Sequence, residues 1–401
     1  MANNNMPSLP TGLVDLAHSL RNPPALRLKR GDEVGLANGL AGIALLPLTL
    51  APLFPEQGWL DVAGSYFARI AQETRERPLS DPGLYHGCCG IAFTLSLLAQ
   101  QDCRYHNASQ ALLARLVRQV TSWDWRAQPF LPGQQNFEVI GGVAGILRFL
   151  LTQRDEPEVQ SALGSLLAYL IWVSEEQERW PHRPERLGAI AKKHYPQGYL
   201  DLGLAHGLAG PLAALSLAVL HDYVPSGLRE AIERWSTWLV DQQLAMPWGK
   251  DWPSVVPLQL HAKDCSPTRS AWCYGTPGIA RALWLAGRAL ADDSLCALAR
   301  EALASTLRRP AGERNIDEPQ ICHGVAGLLL ICLHFAHDDA ASTPGLKEAI
   351  PLLTTALCTR WIASYAQMSP GFLTGAVGGA LTLIAALTNR ESLWDQVLLL
   401  S

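Results

Sequence analysis

A Gly-x-x-Gly element followed by an apolar helical run occurs seven times in this 401-residue chain, and no other feature constrains the fold as strongly. The elements are Gly39-Leu-Ala-Gly42, Gly87-Cys-Cys-Gly90, Gly142-Val-Ala-Gly145, Gly207-Leu-Ala-Gly210, Gly275-Thr-Pro-Gly278, Gly324-Val-Ala-Gly327 and Gly375-Ala-Val-Gly378. Steps between first glycines are 48, 55, 65, 68, 49 and 51 residues. A period of this length marks a supersecondary unit that buries its apolar face only by stacking on its neighbours. Each step has room for the apolar helix and a second one. Stretches such as 59–75 and 293–308 space apolar residues by three and four among Arg, Asp and Glu, as a half-exposed helix does. Very little of the chain reads as strand. The expectation is an all-α helical-hairpin repeat, with buried inner helices covered by outer ones. Glycine at the start of an inner helix lets backbones approach closely and leaves helix N-termini open towards a shared centre.

The two widest steps contain insertions at 174–200 and 243–270, rich in Pro, Trp, His and charge, which read as long functional loops. No low-complexity segment divides the chain, so one domain over 1–401 is expected. A net charge of −4 offers no broad attraction to nucleic acid. The first ten residues lack the basic and apolar regions of a signal peptide, and nine cysteines without one fit the reducing cytoplasm. Residues 35–54 are uncharged over a bilayer-spanning length. A mean hydropathy of +0.07 and shorter later apolar runs argue against a polytopic membrane protein.

Aligning the repeats exposes the two residues before each first glycine: Ala37-Asn38, Tyr85-His86, Ile140-Gly141, Ala205-His206, Cys273-Tyr274, Cys322-His323 and Leu373-Thr374. Helices that ring a common axis bring these positions together at one end. Three His and two Cys are concentrated there. Cys273, Cys322 and His323 suit a zinc triad with an open fourth position; as residue types they equally suit buried packing, since free cysteines are small hydrophobes. Packing is the reading for Cys103, Cys296, Cys332 and Cys358; for the vicinal pair Cys88-Cys89, inside a glycine element, packing is weighed against redox chemistry, with packing favoured. His206 is either structural or an acid/base group. Arg269 reads as a surface arginine or as a partner for a developing oxyanion. No carboxylate occupies these columns, which disfavours a toroidal glycosidase, and neither Cys273 nor Cys322 sits in the Asp-x-Cys pair of a zinc prenyltransferase.

Ser270-Ala-Trp-Cys-Tyr-Gly-Thr-Pro-Gly278, Cys322-His-Gly-Val-Ala-Gly327 and Leu204-Ala-His-Gly-Leu-Ala-Gly210 resemble the signature motifs of the lanthionine synthetase C-like family, and the seven glycine elements extend the likeness over nearly the whole chain. The resemblance implies an α/α toroid of seven inner and seven outer helices, with one zinc ion at an end of the central cavity. It implies that Cys273, Cys322 and His323 are the zinc ligands and that His206, Arg269 and Tyr274 are active-site residues. Glu138 falls where the bacterial cyclases usually have aspartate. The implied reaction adds a peptide cysteine thiol to dehydroalanine or dehydrobutyrine, forming a thioether ring. The implied partners are a dehydrated precursor peptide and, in a biosynthetic complex at the membrane, a separate dehydratase and an exporter. Family relatives that add glutathione, and scaffolds without chemistry, are the alternatives. The tryptophans Trp123, Trp125, Trp248 and Trp252 suit a peptide substrate.

Overall fold

In the computed structural model, which describes residues 10–25, 32–127, 135–339, 343–388 and 392–401, each glycine element opens one helix. These are α2 (Leu40–Leu50), α4 (Cys88–Gln101), α6 (Val143–Leu151), α9 (Ala209–Leu220), α11 (Thr276–Leu290), α13 (Val325–Asp339) and α15 (Ala376–Thr388). Their residues are buried nearly all round, as their lack of a polar face requires. Each touches the next, and α15 touches α2, so the inner ring closes. On them pack α3 (Trp59–Glu76), α5 (His106–Ser122), α7 (Val159–Glu175), α10 (Leu228–Asp241), α12 (Asp293–Arg308) and α14 (Leu346–Ser364). The seventh outer helix is α1 (Thr11–Ser19). Its Gly12 lies against Trp361 and Tyr365 at the end of α14, and Leu20 beyond it accepts a hydrogen bond from Tyr66 of α3. The fold is the expected α/α toroid.

Two devices close the ring. The second glycine of each element faces the preceding repeat: Gly278 faces Leu204, Gly327 faces Trp272, and Gly42 closes the cycle on Phe372. A β-carbon at any of the seven would overlap the carbonyl six residues earlier, so the glycines serve close approach. The second device is a belt of backbone hydrogen bonds of 2.6–3.3 Å between the loops ahead of the inner helices: Ala37 N–H to Tyr85, Tyr85 to Ile140, Val139 to Ala205, Ala205 to Cys273, Cys273 to Cys322, Cys322 to Leu373 and Leu373 to Ala37. A closed belt leaves no polar edge unpaired. One irregularity falls in repeat three, where Ile140 accepts and Val139 donates, placing an extra residue beside Glu138.

The axis is filled. A C-terminal turn, Trp394–Leu398, and the residues after it bury Trp394, Val397, Leu398, Leu399 and Leu400. Tyr85 Oη donates to the carbonyl of Val397 at 2.9 Å, Trp272 Nε1 to Leu398 at 3.0 Å, and Arg281 Nε to Leu400 at 2.6 Å. These donors come from opposed repeats, which fixes the segment in the middle of the ring.

The insertions carry more regular structure than loops. The first holds α8 (Ala189–His194) and β1 (Tyr199–Asp201); the second holds β2 (Leu244–Met246), β3 (Gly249–Asp251) and β4 (Val255–Pro257). β1 and β4 pair antiparallel with Asp201 opposite Val255, which ties the insertions together, and β2 pairs with β3. Two further expectations need correction. Trp125 and Trp252 are buried in the core instead of displayed on loops, with their indole N–H groups bonded to Val120 and Leu239 carbonyls. Cys103, read as packed, is exposed in a short turn, and Cys358 is half-buried. Cys296 and Cys332 are buried as expected, and Cys88 and Cys89 are buried too. Among the described residues no helix is long and apolar enough to cross a membrane, and the uncharged 35–54 stretch is built around the eleven-residue α2.

Candidate active site

The belt determines what reaches the mouth of the ring. The residue just before each first glycine (Asn38, His86, Gly141, His206, Tyr274, His323 and Thr374) is partly exposed, while all but one of the residues one position earlier are buried; Cys322 is the exception. Six side chains and Gly141 therefore face one opening. Asn38 Oδ1 accepts from Thr374 Oγ1 at 2.9 Å, and His86 Nδ1 lies 2.8 Å from Asp32. His206, Tyr274 and His323 occupy the remaining side-chain positions.

Cys273 and Cys322 adjoin because Cys273 N–H donates to the Cys322 carbonyl at 3.1 Å within the belt. The donor atoms of Cys273, Cys322 and His323 all lie within 4.8 Å of one another. The Cys322 sulfur, then burial, push the Cys273 thiol up, while the hydrogen bond from Cys273 and the charge of Arg269 lower that of Cys322. Two soft sulfurs and an imidazole at this separation, one buried and two open to the mouth, fit a zinc ion with a free fourth position. His323 Nε2 is 3.0 Å from the side-chain amide nitrogen of buried Gln320. Arg269 is half-exposed near Cys322, six residues before Gly275 (φ +97°), whose conformation and contact with the Arg269 carbonyl tolerate only glycine.

Glu138, wholly buried, accepts from Gly141 N–H at 2.5 Å and holds His206 Nδ1 at 2.7 Å, so its extra methylene relative to aspartate still reaches the imidazole. Burial disfavours charge on His206, but the hydrogen bond and charge of Glu138, with Asp201 adding, raise its pKa to about 9. The imidazolium is the neutral-pH form. In metal-stripped protein, Glu138→Gln is expected to bring the His206 titration down from about 9 to or below the ordinary imidazole value of about 6.5. Proton-nitrogen NMR of the ring measures this directly, and an unmoved titration refutes the pairing.

Tyr274, whose ring centre is 6.3 Å from that of His206, donates its hydroxyl proton to Asp201 Oδ2 at 3.0 Å. Asp201 is buried, and its other oxygen accepts from Gly203 N–H at 2.8 Å. Burial raises its pKa against the pull of His182 and His206. Neither Asp201 nor Gln320 was among the sequence candidates. Both signals lie deeper in the same repeat alignment. Asp201 stands six residues before its glycine, as Asp81 does in repeat two. Glu138 and Gln320 share the position four before, where every other repeat has Gly or Ala.

The family model for lanthionine synthetase C-like proteins matches residues 32–399. The chain belongs to the lanthionine synthetase C-like family. Among family relatives, the nisin biosynthesis protein NisC of Lactococcus lactis subsp. lactis is 28% identical over 316 residues, 76% of this chain and 74% of that protein. The solved structure of nisin cyclase superposes with a TM-score of 0.83 at 24% identity, over 97% of this chain and 95% of that one. The fold of this family member is therefore that of the cyclase toroid.

Proposed function

We propose that this family member is a zinc-dependent lanthipeptide cyclase, and one juxtaposition carries the reading: a Cys-Cys-His donor set and a Glu-held histidine share one rim. Cys273, Cys322 and His323 would hold one zinc ion per chain. Zinc in such a site supplies a lowered pKa for an incoming peptide thiol, favouring the thiolate nucleophile.

The chain's residues do the rest. The peptide sulfur bonds to the β-carbon of a dehydroalanine or dehydrobutyrine, and the displaced π electrons form an enolate. The thiol proton leaves to solvent. Glu138 engages His206 Nδ1, so Nε2 of the imidazolium delivers a proton to the enolate α-carbon and recovers one from water. Arg269 stabilises the enolate oxygen. Asp201 fixes the hydroxyl of Tyr274 beside His206. The substrate is a dehydrated precursor peptide; a dehydratase prepares it and an exporter removes it. Nine free cysteines suit work in the reducing cytoplasm.

The test is ring closure itself. A peptide carrying one cysteine and one dehydroalanine four residues before it, mixed with the zinc-loaded protein, should lose its alkylatable thiol with no change in mass. A thiol that remains alkylatable at the uncatalysed rate contradicts the reading. A gain equal to glutathione, when glutathione is present, would assign the protein to intermolecular addition.

A further inference from the structure

We propose that an arginine-lined cleft beside the active-site rim binds an acidic stretch of the peptide substrate. The inference deepens the cyclase reading and rests on it for the identity of the partner. The cleft has a volume of about 180 Å³ and lies between the segment after α5 and the first insertion. Trp172 forms its aromatic wall. The guanidinium of Arg179 sits 3.9 Å from the ring centre and that of Arg126 4.9 Å. Arg179 is anchored by Glu176 and by the Trp172 carbonyl, so its charge is already matched.

Three other arginines of the cleft are not matched. Among the described residues, Arg126, Arg183 and Arg186 have no carboxylate within ion-pair distance, although the chain has more acidic than basic side chains. Glu178 is the lone acid in the lining, and it is exposed. Guanidiniums held on an aromatic plane are matched by planar carboxylates.

Position makes the partner a substrate segment. The cleft's inner edge is Gln135 and Asn136, pinned by hydrogen bonds to the Pro181 and Trp125 carbonyls at 2.7 and 2.8 Å. Asn136 is two residues from Glu138, so at most about 7 Å of backbone separates this edge from the residue that holds His206. A peptide seated with acidic residues on Arg126, Arg183 and Arg186 therefore runs directly to the mouth. The nearby acids Glu175 and Glu176 lie outside the lining and face Arg179.

The experiment uses the full-length protein and a fluorescein-labelled decaglutamate, with decaglutamine and a ten-residue oligothymidylate as comparison probes, read by anisotropy against salt. Decaglutamate should bind, weaken steeply as salt rises, and bind about tenfold or more weakly to the triple variant Arg126→Gln/Arg183→Gln/Arg186→Gln. The triple variant Arg69→Gln/Arg75→Gln/Arg77→Gln, on and just after α3, should bind as wild type does. Unchanged binding by the cleft variant, equal loss in the α3 variant, or tighter binding of oligothymidylate each overturns the assignment. Ring closure and zinc content are measured on the same samples. In the cleft variant a precursor with an acidic segment should show a raised KM and an unchanged kcat. A wild type that binds decaglutamate but closes no ring would sink the cyclase reading and leave the arginine cleft standing as a site for acidic peptide.

Discussion

His206→Ala is expected to slow ring closure about 10²- to 10⁴-fold, the usual contribution of a positioned acid or base, while zinc stays at one per chain. The expectation rests on a division of labour. Cys273, Cys322 and His323 converge without any atom of His206, which is held from the other side by Glu138 at 2.7 Å. Removing the imidazole should therefore take away proton delivery and spare metal binding. It also leaves the buried Glu138 carboxylate with the Gly141 N–H alone, so the variant should melt lower, and rates are to be compared well below its melting temperature. Parallel loss of zinc and activity would mean that His206 holds the site together instead of moving a proton.

Deleting residues 394–401 is expected to abolish the folded toroid. Val397, Leu398, Leu399 and Leu400 are each about fully buried in the axis, and each contributes about 1.5–3 kcal/mol by leaving water. Their loss would also strip acceptors from Tyr85, Trp272 and Arg281; a buried donor without a partner costs about 1–3 kcal/mol. The combined penalty is of the order of the about 5–15 kcal/mol that keeps a domain folded. The milder Leu398→Ala should cost about 2–5 kcal/mol, read as a lower midpoint in urea. Tyr85 and Trp272 immediately precede His86 and Cys273, so the same segment that stabilises the ring also supports its rim. A truncated protein that melts like wild type would show the plug to be dispensable.

The seven glycine elements made the toroid legible because closure demands a β-carbon-free contact at the same point of every repeat. The column beside the first glycines located the mouth, since the belt of hydrogen bonds aims each of those side chains the same way. Other features follow from contacts that a column does not display. Asp201 shares a column with Asp81, but the column does not show that it acts on Tyr274, from the end of a three-residue strand too short to show alternation. The axial role of Leu398 and Leu400 lies in their carbonyls, and a backbone acceptor leaves no mark in a sequence. Trp252 sits in a charged, proline-rich insertion, yet it directly follows β3 and turns inward to α10. Glu138 stands where the family resemblance implies aspartate, and only the geometry shows the longer side chain reaching His206.

The account rests most directly on the metal. Zinc content of the protein purified without chelator should be about one per chain, and about zero for Cys322→Ala purified alongside it, with ring closure lost in step. A wild-type protein that carries no zinc and takes none up when offered it would contradict the proposed chemistry.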